Sequence, residues 1–111
     1  MLEIGLKHQS VMRVMEGNTA EFIGSGDMAV LATPAMVALM ENAAMLAVAL
    51  KLEEGETTVG SMISTTHLKP SKVGNMVSAV AELTAYTDDE YGSVFLGDGV
   101  FTVFRCEFRI A

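Results

Sequence analysis

Cysteine is nearly absent: Cys106 is the one thiol in 111 residues. It has no partner for an internal disulfide, which excludes a stapled secreted domain and points to a reducing cytoplasm. Basic residues are scarce too. Seven Lys plus Arg stand against fourteen Asp plus Glu, a net charge of −7. The basic footprint of a general nucleic-acid binder is therefore missing, and no nucleic-acid partner is expected. The start, Met1-Leu2-Glu3-Ile4-Gly5-Leu6-Lys7-His8, has no basic flank followed by a long apolar core, so no signal peptide is expected. Gly24-Ser25-Gly26 precedes a helical stretch but lacks the spacing of a nucleotide loop. No His/Cys cluster has metal-ligand spacing, so neither a metal nor a cofactor is expected. Repeats, low-complexity tracts and interdomain linkers are also missing, which leaves a single domain over 1–111.

What is present is apolar. Half the residues are hydrophobic and 19% are charged, a balance that suits a compact core and not a disordered chain. A lone domain of this length buries only about 60–68% of its unfolded surface. Such an apolar chain is expected to hide more by pairing with itself, as a homodimer or a dimer of dimers.

Ala29 to Leu50 could be mistaken for a membrane span, since its strongly polar members are only Thr33, Glu41 and Asn42. A carboxylate in mid-span costs roughly 2.5–3.5 kcal/mol on insertion scales, and Pro34 also falls inside the window. No membrane partner is expected. The stretch instead predicts a helix apolar on every side because protein surrounds it. Thr33 is a good N-cap and Pro34 fits the first helical position. Ala, Met and Leu dominate from Ala35 to Leu50, and Glu53-Glu54-Gly55-Glu56 then makes a solvated turn.

The remainder predicts strands. Thr57 to Leu68 is rich in Thr, Val and Ile and puts Val59, Ile63 and His67 on one face. After the connection Lys69 to Gly74, Met76 to Tyr86 is a second strand. Asp88 to Gly92 is an acidic turn, Ser93 to Leu96 a short strand and Gly97-Asp98-Gly99 a tight turn. From Val100 to Ile110, Val100, Thr102, Phe104, Cys106, Phe108 and Ile110 share one face, while Arg105, Glu107 and Arg109 take the other. Ser10 to Met15 and Thr19 to Ile23 are possible strands around Glu16-Gly17-Asn18. The fold class is α+β, with an antiparallel sheet that must curl around one long helix or share its cover with a second subunit.

Three residues could carry chemistry. Glu41 is a carboxylate in a helix expected to be buried, where carboxylates are rare unless paired; the plain alternative puts it on a small wet stripe beside Asn42. His67 is a strand histidine that could be structural, but paired with Glu41 it would supply general acid–base chemistry near neutral pH. Thr33 suffices as an N-cap, yet its hydroxyl also lies at a helix start, where free N–H groups face outward. Glu41 lies eight positions beyond Thr33, about 12 Å along a straight helix axis and about 80° around it, so a ligand could span both where direct contact could not. Lys69 and Lys72 flank Pro70 and could meet ligand phosphates, although a solvated turn explains them as well. The nine methionines fit core gaps, and some could line an adaptable acyl pocket.

The run from Gly24 through Asp27, Leu31-Ala32-Thr33-Pro34-Ala35-Met36 and on to Glu41 resembles the helix entry of hotdog-fold thioesterases of the fluoroacetyl-CoA thioesterase-like family. Gly55-Glu56-Thr57-Thr58-Val59-Gly60, then His67-Leu68-Lys69-Pro70 and Val73-Gly74, agree with it, so the resemblance covers about Thr19 to Leu83. It implies a hotdog fold, a sheet wrapped around one long central helix, with acyl-CoA sites at the interface of two protomers. It also implies roles for Thr33, Glu41 and His67 in catalysis and for Gly60 beside the thioester. Where that family carries an aromatic lid before the helix, this chain has Ile23-Gly24-Ser25-Gly26, so fluoroacetyl selectivity is not expected. The implied activity is hydrolysis of a small or medium acyl-CoA to free acid and CoA. Glu41 would act as base or nucleophile, His67 as proton carrier, and Thr33 would orient or make the attack, with Lys69 and Lys72 binding substrate. The alternatives are a non-catalytic hotdog module that holds an acyl-CoA or another small acyl ligand, and an acyl-CoA hydratase or dehydratase.

Overall fold

The computed structural model describes residues 2–58, 62–87 and 101–110. Among them are three strands, β1 (Lys7–Arg13), β2 (Met76–Thr87) and β3 (Phe101–Ile110), and two helices, α1 (Ala20–Ile23) and α2 (Thr33–Val48). A 3-10 turn, Ala49–Lys51, continues α2. The strands form one antiparallel sheet in the order β1-β2-β3.

The sheet follows from alternation. Val77, Ala79, Ala81 and Leu83 of β2 are all buried, so the central strand turns every second side chain toward α2. Ala79 and Ala81 are small, and the helix meets the sheet there with its larger residues Met36, Leu39 and Met40, beside Ala43. Those positions recur at three- and four-residue intervals, the period of one helix face. Phe104, Cys106 and Phe108 of β3 close one side of this core, as their alternation predicts; Ile110 ends exposed. A smaller cluster of Leu2, Val48 and Leu83 seals the far end of the helix. The β1–β2 pairing is extended at one end by Gly74, whose φ of 98° suits a residue without Cβ; its N–H donates to the Val14 carbonyl at 2.7 Å.

Several expected boundaries move. The first strand begins at Lys7 and ends at Arg13 instead of running from Ser10 to Met15. Thr19 to Ile23 is not a strand. Thr19 Oγ1 accepts from the Phe22 N–H at 3.4 Å, Gly24 closes the turn in the left-handed region, and the backbone coils into α1 between these two caps. Residues 62–68, expected to finish a strand begun at Thr57, form no strand pairing among the described residues. Asp88 to Gly92, Ser93 to Leu96, Gly97-Asp98-Gly99 and Val100 lie outside the described residues, as do Val59 and Gly60.

The helix is not enclosed on all sides. Thr33–Lys51 is long and apolar enough to cross a membrane by length and composition, yet only 28% of its best 18-residue window is buried. One stripe, Ala38, Glu41, Asn42, Met45, Leu46, Ala49 and Leu50, faces outward. Three described strands cover one side of a helix; covering the other takes further surface.

Candidate active site

The site grows from how the chain enters α2. Residues 30–32 run between two neighbours. On one side Thr19 bridges Leu31, and on the other Val30 bridges Lys72, both antiparallel. Leu31 N–H donates to the Ser71 carbonyl at 2.9 Å, and Ala32 N–H to the Asn18 carbonyl at 2.9 Å. Since the second bridge is antiparallel, stepping forward from Val30 to Thr33 is stepping backward from Lys72 toward His67. Continued, that register would put Thr33 opposite Lys69, two residues from His67, so residues far apart in sequence come close.

Their side chains meet. Thr33 Oγ1 and His67 Nδ1 share a hydrogen bond of 3.0 Å. This corrects the expected role of Thr33. The N-cap is Ala32, with extended backbone and no side-chain cap; its carbonyl accepts from the N–H groups of both Ala35 and Met36. Thr33 is therefore the first helical residue and Pro34 the second, where its lack of an N–H leaves no helical bond unmade. The hydroxyl released from capping reaches the imidazole instead.

His67 is half-buried. Its Nε2 is buried without a hydrogen-bond partner among the described residues, and the Phe108 ring stands T-shaped against it, centroids 6.1 Å apart. A hydroxyl beside an imidazole can pass its proton to the ring nitrogen and become an alkoxide-like nucleophile, or hold a water that does so. The lone thiol is not an alternative nucleophile. Cys106 packs on the core side of β3, and burial pushes its thiol up from its ordinary value, which keeps the thiolate scarce at neutral pH.

Glu41 does not join this pair. It is exposed on the outward stripe of α2 beside Asn42 and makes no hydrogen bond or ion pair among the described residues, so the expectation of a buried carboxylate does not hold in the single chain. The physical reason is the open helix face. Asn42 is tied down instead: Ser10 Oγ, buried on β1, donates to its Oδ1 at 2.6 Å, setting the rotation of α2 against the sheet. Lys69 and Lys72 are both exposed on the segment that follows His67. Gly60 lies outside the described residues. Phe108 was readable in the sequence only as one of several alternating core residues; its contact with His67 joins a strand to a distant loop, and no local pattern signals that.

A family model described as the fluoroacetyl-CoA-specific thioesterase FlK matches residues 14–93. Among solved structures, FlK itself is 30% identical over 77% of this chain and 67% of that one, with a TM-score of 0.69. A phenylalanine-to-alanine variant of FlK holding fluoroacetate and CoA is 24% identical, covers 97% of this chain and 82% of that one, and has a TM-score of 0.77. A thioesterase superfamily member from Thermus thermophilus is also 24% identical, over 99% of this chain and 73% of that one, with a TM-score of 0.77. Comparison with curated protein sequences found no match.

Proposed function

The chain belongs to the fluoroacetyl-CoA-specific thioesterase family typified by FlK, and from that premise we propose that it cleaves a small or medium acyl-CoA with Thr33 and His67, at a site shared between two copies of the chain. Its long helix and antiparallel sheet are the hotdog fold, and its chemistry is thioester hydrolysis. One observation carries the assignment of residues: the 3.0 Å contact between Thr33 Oγ1 and His67 Nδ1.

In the tautomer with its proton on Nε2, His67 accepts from the Thr33 hydroxyl at Nδ1. As the oxygen of Thr33, or a water it orients, attacks the thioester carbonyl, the proton moves to Nδ1 and can then be handed to the leaving thiolate of CoA; where Thr33 itself attacks, a water activated by His67 then cleaves the threonyl ester, releasing the acid and returning the proton to Thr33 Oγ1. The carbonyl oxygen gains charge and needs a donor; the Gly60 amide is assigned that role from the family likeness. Lys69 and Lys72, exposed near His67 in sequence, suit the phosphates of CoA. A bound CoA in an FlK variant supports the class of substrate. The lone cysteine supports a reducing compartment, the cytoplasm.

Two copies are proposed because too much apolar surface stays open. Leu50 is 96% exposed, Met62 90% and Leu68 84%, and residues 62–68 have no strand pairing among the described residues. Paired with its own symmetry mate, that segment would gain a ladder and cover the outward stripe of α2. Glu41 lies on this stripe, so the dimer is also where its carboxylate would meet a thioester site as base or as electrostatic support.

The test is thiol release from a panel of acetyl-, butyryl-, hexanoyl- and benzoyl-CoA. Hydrolysis of at least one is expected. Tight binding of the panel without any free thiol would overturn the assignment in favour of a binding module.

A further inference from the structure

Among the described residues, His67 hangs on a segment with no strand pairing, and a single hydrogen bond holds its ring, the one between Nδ1 and Thr33 Oγ1. Nε2 is out of contact with solvent, with no hydrogen-bond partner among the described residues. Free rotation about the Cβ–Cγ bond would exchange the positions of the ring's nitrogen and carbon atoms, and would cost no second bond. Something else must hold the ring. The Phe108 ring lies against it, with centroids 6.1 Å apart and planes at 75°, within the range where perpendicular aromatic pairs attract.

Phe108 is itself well fixed. It sits on β3 opposite Ala79 of the central strand and packs against the main core, while its neighbours Glu107 and Arg109 point outward and bond each other at 3.1 Å. The sheet thus sets the orientation of Phe108 independently of the segment that carries His67.

We propose that Phe108 is a positioning residue for His67: its ring holds the imidazole with Nδ1 toward Thr33 and closes the Nε2 side to water. This rests on Thr33 and His67 forming the hydrolytic pair. The step it serves is a single proton transfer. The Thr33 O–H bond breaks, an N–H bond forms at Nδ1, and the electron pair stays on Oγ1. That transfer requires a bare Nδ1 and hence the proton on Nε2. Held with Nδ1 at the Thr33 hydroxyl, the ring accepts that O–H in the tautomer that carries its proton on Nε2, the one that can act as base.

The experiment compares Phe108→Leu and Phe108→Ala with Phe104→Leu, a half-buried phenylalanine on the same face of β3. The background is His8→Gln, so that His67 gives the only histidine side-chain ¹⁵N signals. In the parent these should show one dominant tautomer. Both Phe108 variants are expected to move them toward the averaged values of a freely exchanging imidazole, and Phe104→Leu is expected to leave them in place. On the best acyl-CoA, kcat should fall between about 10- and 100-fold in Phe108→Ala, as for a misplaced catalytic group, with KM within about twofold. Phe108→Tyr, which keeps the ring, should recover most of kcat. Unchanged ¹⁵N signals in Phe108→Leu would overturn the proposal, as would an equal change in Phe104→Leu. Should Phe108→Ala fail to fold, the leucine variant decides, since it keeps the apolar volume. Failure of thioester cleavage in the parent would show in the kinetics alone, and the ¹⁵N comparison would still decide whether Phe108 sets the state of His67.

Discussion

Replacing His67 by alanine separates chemistry from folding, because the two losses differ in size. The side chain is half-buried and among the described residues makes one hydrogen bond, with an exposed threonine hydroxyl, and one aromatic contact. The hydrogen bond is worth about 0.5–1.5 kcal/mol net and the aromatic contact about as much, so the variant should lose roughly 1–3 kcal/mol. A domain with only about 5 kcal/mol to begin with would keep at least about 2 and remain roughly 97% folded. Its melting temperature should fall by about 4–8 °C per kcal/mol lost. Loss of the proton carrier, by contrast, removes about 10²–10⁴-fold in rate, or roughly 3–5 kcal/mol of barrier. The assay is initial-rate thiol release at saturating acyl-CoA, run beside a circular-dichroism melt of the same sample. A folded His67→Ala variant should therefore retain at most about one per cent of parental turnover. Turnover within twofold of the parent would refute the assignment of His67 and leave the contact with Thr33 as a structural bond.

Glu41→Gln should lower hydrolysis at least about tenfold while the melt stays close to that of the parent, since the exposed carboxylate bonds nothing among the described residues of the single chain; unaltered turnover would take the carboxylate out of the mechanism. Leu50→Asp should weaken the proposed dimer. Burying one leucine is worth about 1.5–3 kcal/mol and symmetry counts it twice, so light scattering at micromolar concentration should fall toward the 11.8 kDa of one chain; a parent that already scatters as one chain would contradict the pairing itself. Ser71→Ala should leave stability unchanged or raise it by up to about 1 kcal/mol, because the Ser71 hydroxyl is buried without a partner among the described residues; a loss larger than that in denaturant unfolding would show that the hydroxyl is satisfied.

Local patterns carried the sequence a long way. The β3 alternation marked the inward residues because a strand's side chains must alternate, and the Ala-Thr-Pro entry marked the start of α2 to within a residue because proline tolerates only the first turn. Thr33, Glu41 and His67 could be nominated from residue type and from family likeness. The errors arose where two local preferences competed. Thr19 to Ile23 has strand-forming side chains, but a threonine cap at one end and a left-handed glycine at the other turned it into α1. The hydrophobicity of α2 announced burial, yet composition cannot say whether the cover comes from the same chain or from another, and one stripe of α2 stands open.

By itself, then, the sequence determined the long helix and the two C-terminal strands, the inward face of β3, and which polar residues stand out against an apolar background, for these depend on neighbours within a few residues. Only the tertiary structure decided that Thr33 turns its hydroxyl to His67 instead of capping its helix, that Glu41 stays apart from both in the single chain, and that Phe108 lies on the imidazole. The first depends on an antiparallel bridge between residues 30 and 72, the second on which face of α2 the sheet leaves open, and the third on a strand more than forty residues beyond the histidine. Contacts between elements so distant in sequence are set by how the elements pack, which no local spacing encodes.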